Sequence, residues 1–95
     1  MSASARSFRF VVADDHPLFR DALKQIVAAR YPESKFDEAG TLDEVVSRLS
    51  TSEETDLVLL DLAMPGARGF SGLMFLRAQY PAVPVVVVSA SDDPA

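Results

Sequence analysis

The sequence predicts an α/β fold built on a doubly wound parallel sheet. Apolar runs of strand length alternate along the chain with segments whose apolar residues recur every three or four positions, as in amphipathic helices. Three of the four strand-like runs are continuously apolar, which is typical of parallel strands covered by helices on both faces. Because crossovers between parallel strands are almost always right-handed, an open doubly wound sheet is the arrangement we expect.

The first strand and helix are predicted from one apolar run and two prolines. Residues 8–13 are mostly apolar and form the first strand, and Pro17 then opens a helix, since proline suits the first helical position. That helix is expected to end before Pro32. Residues 35–39 follow as a weaker second strand, so the chain begins with a complete strand–helix–strand unit.

The second half of the chain repeats this alternation. Thr41 begins a capping box and with it a second helix. The third strand is the apolar run 57–60, and residues 64–72, which contain three of the four glycines, form a long irregular connection. A third helix ends at Pro81, and the valine-rich run 83–88 is the fourth strand. The pattern therefore ends on an apolar strand.

Length, charge and composition exclude several classes of protein. With 95 residues the chain holds one small domain, for which we expect a disordered tail at 1–7 and a folded unit at 8–95. A net charge of −5 argues against direct nucleic-acid binding by this chain. The absence of cysteine excludes disulfides and thiolate chemistry. No apolar run is long enough to cross a membrane and no secretion signal is visible, so we expect a cytoplasmic protein.

Acidic residues follow two of the predicted strands. Asp14 and Asp15 end the first strand and Asp61 ends the third. Ligands of open α/β sheets bind at the carboxyl ends of the strands, where the strand order reverses. If these strands are neighbours, roughly 4.8 Å apart, the three carboxylates meet and repel one another unless a cation compensates. Oxygen ligands of this kind suit Mg²⁺, and a carboxylate is also a possible nucleophile toward phosphorus.

Simpler interpretations remain open for these and other polar residues. Asp14 on its own could be a helix cap. His16 is expected to be a helix-start residue rather than a metal ligand, Arg68 a solvated loop residue, and residues 37–38 a surface turn. Two acidic strand ends at one edge of the sheet favour a site over a pair of unrelated caps.

Three segments carry a resemblance to a known family. Together they resemble the receiver domain of two-component response regulators, which has a flavodoxin-like (CheY-like) fold, and the resemblance covers about residues 8–95. The first segment is similar to receivers joined to a LuxR-type helix-turn-helix DNA-binding domain that regulates transcription. The segments are VVADDHPLFR at 11–20, DLVLLDLAMPG at 56–66 with Gly69, and PVVVVSA at 84–90.

The resemblance implies a role for each matching position. Asp61 accepts a phosphoryl group from a sensor histidine kinase, and Asp14, Asp15 and Asp61 bind Mg²⁺ together with the backbone carbonyl of Ala63. Ser89 is the hydroxyl residue that turns toward the phosphoryl group. The protein is then a phosphoacceptor and not a turnover enzyme. Among enzyme alternatives, a phosphohydrolase with a second acid two residues after the nucleophile is disfavoured, because that position is Ala63.

The chain departs from the family at its end. Receivers continue with a helix, a strand and a helix, and that strand ends in a lysine that contacts the phosphoryl group, whereas no lysine follows Lys35 here. An incomplete receiver without this cation is expected to take up phosphate slowly. Its fourth strand is expected to be exposed and to pair with another copy, as a homodimer or by exchange of elements. The alternative function is therefore a phosphorylation-incompetent interaction module.

Overall fold

Four parallel strands form one sheet in the order β2-β1-β3-β4. The computed structural model describes residues 7–51 and 54–88. In chain order the elements are β1 (Phe8–Ala13), α1 (Pro17–Arg30), β2 (Ser34–Ala39), α2 (Leu42–Thr51), β3 (Leu57–Asp61), α3 (Phe70–Gln79) and β4 (Val85–Val88). The predicted doubly wound α/β sheet is confirmed within these residues. Helix α1 starts at its proline as expected, and residues 1–6 of the predicted tail lie outside the described part.

The strand order reverses between β1 and β3, and this fixes where a site can form. Both strands run parallel, with Ala13 opposite Leu60 in the register. Asp14, which follows β1, and Asp61, the last residue of β3, therefore lie side by side at the carboxyl edge of the sheet. This edge is the topological switch point at which open α/β sheets bind their ligands.

One face of the sheet carries the main hydrophobic core. This core lies between the sheet and the helices α2 and α3, whereas α1 on the other face has no fully buried residue. Burial of side chains such as these contributes roughly 1.5–3 kcal/mol each, so the α2–α3 side dominates the apolar stabilisation. The buried members of the core are Val11, Ala13, Ala39, Val45, Leu49, Val58, Leu60, Met64, Ala67 and Leu76.

An aromatic cluster packs the α1 side of the sheet near the amino ends of the strands. The Phe10 ring stacks on Phe36 of the neighbouring strand with centroids 5.7 Å apart. Tyr31, the residue that ends α1, contacts Phe8 edge-on at 5.0 Å. These ring contacts secure the end of α1 that is remote from the acidic edge.

The loop from β3 to α3 turns through three residues with positive φ. They are Gly66 at 87°, Arg68 at 54° and Gly69 at 60°. The sequence prediction of an irregular segment reaching position 72 is wrong at its end, because α3 begins at Phe70. Gly72 therefore lies in the first turn of the helix, where its N–H donates to the Ala67 carbonyl at 2.6 Å.

Candidate functional site

The structure brings the three predicted aspartates together with a histidine. Asp14, Asp15, His16 and Asp61 each offer one ligand atom, and these four atoms lie within 4.8 Å of one another. The Asp14 N–H donates to the Ala39 carbonyl at 2.9 Å, which ties the end of β1 to β2. Two strand ends and the turn into α1 therefore build one acidic cluster, which we call the carboxylate site.

Two of these carboxylates are buried and only partly hydrogen-bonded. Asp14 is 0 % exposed and Asp61 is 1 % exposed. One oxygen of each accepts a backbone N–H, at 2.7 Å from His16 to Asp14 and at 3.0 Å from Ala63 to Asp61. The other oxygen of each, Oδ2, has no hydrogen-bond donor. Buried charged oxygens without donors are costly, and a bound cation would offset this cost.

The chemistry of the donors fits magnesium. Mg²⁺ prefers oxygen ligands, keeps several of its waters and binds through one or two carboxylates. The two buried oxygens without donors and the exposed Asp15 supply such ligands from one side, leaving the solvent side for water or phosphate oxygens. Asp14, Asp15 and Asp61 could therefore hold this ion.

Burial sets the protonation behaviour of Asp61. It raises the pKa of the Asp61 carboxyl above its ordinary value, and the nearby Asp14 and Asp15 charges act in the same direction. The N–H donated by Ala63 opposes these effects in part. A bound divalent cation favours the ionised form, so metal binding and deprotonation of Asp61 are coupled.

His16 belongs to the carboxylate site, which the sequence analysis did not foresee. It does precede α1, as expected of a helix-start residue, but its Nδ1 lies 2.9 Å from Asp14 Oδ1 and 3.1 Å from Asp15 Oδ1. The hydrogen bond to Asp14 and the Asp15 charge raise the pKa of the imidazole. Spacing in the sequence does not signal this contact, because it depends on how the turn before α1 folds the ring back onto the carboxylates.

A second polar network holds the peptide that carries Asp14. The Arg20 guanidinium donates from Nη1 to the Asp14 carbonyl at 2.7 Å and from Nε to Glu38 Oε1 at 2.6 Å. Lys24, one turn further along α1, donates to Glu38 Oε2 at 2.6 Å. The sequence prediction that residues 37–38 form a surface turn is wrong: both lie in β2, where Glu38 faces the basic side of α1.

Replacing Glu38 with Gln is expected to lower stability in a pH-dependent way. Its hydrogen bonds to Lys24 and Arg20 hold the pKa of Glu38 below the ordinary 4.5. The carboxylate therefore stabilises the fold above that pH, and the stabilisation disappears as the pH falls through its lowered pKa. We expect a loss of about 1 kcal/mol at pH 7, since the network is partly exposed, and a smaller difference between the proteins below pH 4.5. Urea unfolding of both proteins across this range measures the difference, and a constant gap at all pH values would contradict it.

The structure does not test the roles predicted at two other positions. Ala63 is exposed in the turn after β3, and its N–H contacts Asp61. Ser89 and the neighbouring Ala90 lie outside the described residues. The metal-ligand role of the Ala63 carbonyl and the switching role of Ser89 thus stay predictions.

The doubly wound sheet with an acidic cluster at its switch point places this chain among the open α/β proteins, whose ligand sites lie at this edge. Residues 10–95 match the family described as the response regulator receiver domain, and the chain belongs to this family. It is a receiver domain of a two-component response regulator, related to the LuxR and NarL types.

Relatives and a solved structure agree with this assignment. The chain is 43 % identical over 86 residues to a glycerol metabolism activator of Pseudomonas putida, covering 90 % of this chain and 39 % of that protein. It is 34 % identical over 82 residues to the nitrate/nitrite response regulator protein NarL of Escherichia coli K12, covering 86 % of this chain and 38 % of that one. A LuxR family DNA-binding response regulator from Silicibacter pomeroyi superposes with a TM-score of 0.71 at 25 % identity, over 84 % of this chain and 62 % of that one.

The chain spans about two fifths of the length of these two curated relatives. Within the residues that the structure describes, no helix combines the length and the apolar character that crossing a membrane requires.

Proposed function

We propose that this receiver takes a phosphoryl group from the phosphohistidine of a sensor histidine kinase onto Asp61, with Mg²⁺ bound in the carboxylate site. The observation that carries the proposal is the pair of buried aspartates, Asp14 and Asp61, each with one oxygen that has no donor. Membership of the receiver family supports it, because the first two of the three family segments contain these residues.

The receiver-family motif selects Asp61 rather than Asp14 as the proposed nucleophile, since backbone hydrogen bonds hold both carboxylates through Oδ1. Oδ1 of Asp14 accepts the backbone N–H of His16 and also contacts its ring, which fixes that carboxylate. Asp61 is likewise held through Oδ1, by the Ala63 N–H, which orients the side chain. A carboxylate positioned in this way reacts in line with a phosphorus atom that approaches from solvent.

The transfer exchanges one bond to phosphorus for another. An oxygen of Asp61 forms the new O–P bond while the N–P bond of the phosphohistidine breaks, and the departing imidazole retains the electron pair and takes up a proton. When bound by Asp14, Asp15, Asp61 and the Ala63 carbonyl, Mg²⁺ supplies positive charge that offsets the phosphoryl oxygens. The protein contributes alignment, and it acts as phosphoacceptor rather than turnover enzyme.

The proposed signalling role involves parts of the protein beyond the described residues. We propose that Ser89 reports phosphorylation through its hydroxyl, and that the receiver controls transcription through an attached DNA-binding domain in the cytoplasm. The LuxR-family neighbour is named as DNA-binding, which supports this output class.

A second function is favoured by the fourth strand. At the sheet edge of the described residues, Val86 and Val87 of β4 are 45 % and 41 % exposed. Apolar edge strands readily pair with other chains. We propose homodimerisation or element exchange through β4 as the alternative, an interaction module independent of phosphorylation. A protein that sediments as a monomer at micromolar concentration would contradict this second function.

Magnesium binding provides the direct test of the carboxylate site. We expect millimolar Mg²⁺ to raise the melting temperature of the protein, because the ion binds the folded state alone and relieves the repulsion between its carboxylates. Asp15→Asn removes an exposed ligand without disturbing the core, and it is expected to weaken Mg²⁺ binding at least tenfold. Calorimetric melting with added Mg²⁺ or EDTA measures both effects.

Glu33→Gln is the matched control for the loss of one negative charge. Glu33 is exposed and lies just before β2, at the opposite edge of the sheet. The Glu33→Gln variant should bind Mg²⁺ with the affinity of the wild type. Equal weakening by both substitutions would show only a general charge effect and would contradict the site.

A further inference from the structure

The carboxylate site contains one nitrogen donor among its oxygens. His16 Nδ1 is 2.9 Å from an oxygen of Asp14 and 3.1 Å from an oxygen of Asp15. It is among the four ligand atoms that lie within 4.8 Å of one another. Magnesium prefers oxygen ligands, so a magnesium site alone does not explain why an imidazole lies among these carboxylates.

The spacing of these atoms matches neighbouring ligands of one metal ion. At metal–ligand distances of about 2.1 Å, adjacent ligands of an octahedral ion lie about 3.0 Å apart. Both contacts of the His16 nitrogen fall close to this value. A hydrogen bond between imidazole and carboxylate has the same length, so geometry allows the ring either to bind the carboxylates or to share a cation with them.

A second feature of the site is a pair of buried oxygens that could bind a cation. Oδ2 of Asp14 and Oδ2 of Asp61 are buried without any donor, and both residues are almost fully buried. The His16 ring is on the open side of the cluster, with 61 % of its side chain exposed, and so can reorient without disturbing the core. Buried oxygens on one side and an exposed ring nitrogen on the other could together form a mixed coordination shell.

We infer that His16 is a metal ligand that lets the carboxylate site bind nitrogen-preferring divalent ions such as Zn²⁺ and Ni²⁺, in addition to Mg²⁺. Imidazole nitrogen suits zinc and nickel, whereas magnesium selects oxygen. The inference rests on the proposed metal site and adds a specificity determinant to it. The receiver then responds to which divalent ion is present, because the two kinds of ion use different ligand sets.

The test uses the protein without a histidine tag, since His16 is then the single histidine of the sequence. Zinc is titrated into protein labelled with ¹⁵N at histidine, and the ring nitrogen resonances are followed by NMR. We expect the Nδ1 resonance to move as one equivalent binds. Calorimetry then compares Zn²⁺ and Mg²⁺ binding in the wild type and in His16→Asn, whose amide keeps a hydrogen-bond donor near Asp14 but offers no ring nitrogen.

The variant should lose Zn²⁺ affinity by tenfold or more while its Mg²⁺ affinity changes less than threefold. Unmoved ring nitrogens at saturating Zn²⁺, or equal Zn²⁺ affinity in both proteins, would overturn the inference. Equal loss of both metals would also overturn it, since His16 would then act on the carboxylates rather than on the ion. If the wild type binds Zn²⁺ through the ring but shows no Mg²⁺ binding, the inference stands and the proposed magnesium-dependent function fails.

Discussion

Asp61→Asn is expected to abolish labelling of the protein by acetyl phosphate in the presence of Mg²⁺. The amide that replaces the carboxylate still accepts the Ala63 N–H, so the turn after β3 is preserved. It lacks the nucleophilic, ionised oxygen, and we expect labelling to fall at least 100-fold. Intact-protein mass spectrometry after incubation with acetyl phosphate measures the phosphorylated fraction.

Arg68→Ala serves as the control for this loss. Arg68 is exposed in the β3–α3 loop and belongs to no ion pair described for the carboxylate site. It should be labelled at the wild-type rate. Should the wild type and Asp61→Asn be labelled equally, another residue is the acceptor and the proposed function is wrong. Should none of the three proteins be labelled, the interaction module becomes the better explanation.

Asp61→Asn is also expected to stabilise the folded protein in the absence of metal. Burial raises the pKa of Asp61, so the folded state disfavours its ionised form. The contribution of Asp61 to stability is therefore most favourable below the ordinary value of 3.8 and is lost as the pH rises through the raised pKa. At pH 7 in EDTA we expect Asp61→Asn to gain about 1–3 kcal/mol, the scale of an unsatisfied buried group. Urea unfolding shows this gain, which should vanish at acidic pH.

Gly72→Ala is expected to destabilise the protein strongly. A Cβ at this position would lie 2.6 Å from the Ala67 carbonyl oxygen and 2.9 Å from the Ala67 Cα. Both are backbone atoms, so the turn before α3 has to move. Alanine gains up to about 1 kcal/mol in helix propensity, but a clash of this kind costs typically 1–3 kcal/mol and occasionally more. We expect a net loss of about 2 kcal/mol in urea unfolding.

Gly40→Ala provides the matched comparison. Its added Cβ would meet only side-chain atoms, Glu44 Oε1 at 3.7 Å and Arg20 Nη1 at 3.9 Å, which are ordinary contacts. It should change the free energy of unfolding by less than about 0.5 kcal/mol. Similar losses in both variants would show that the close approach of Gly72 to the loop backbone is not what matters.

Strand patterns predicted the main part of the site. Asp14 and Asp61 follow uninterrupted apolar runs, and parallel strands carry whatever follows them to one edge. The roles of His16 and Glu38 were not predictable in this way. Each depends on how a side chain turns across the gap between two elements, and linear spacing does not encode that rotation. The start of α3 was predicted too late, because Gly72 in the first turn of the helix has the composition of a loop.

The capping of α2 shows the same limit on a smaller scale. Thr41 Oγ1 accepts the Glu44 N–H at 3.2 Å, as the sequence predicts. The Glu44 carboxylate accepts the N–H of Gly40 at 2.7 Å, one residue before the expected partner. The sequence predicted the capping box correctly, but the local backbone geometry determines that Gly40 and not Thr41 donates to Glu44.

The weak apolar anchorage of α1 affects how the protein fluctuates. This helix has no fully buried side chain, whereas α2 inserts Val45 and Leu49 into the core. Local opening costs least where few apolar contacts are lost, so α1 detaches before the remainder of the domain unfolds. Since the Arg20 contact links this helix to the peptide of Asp14, such excursions would loosen one wall of the carboxylate site and open it to the surrounding water.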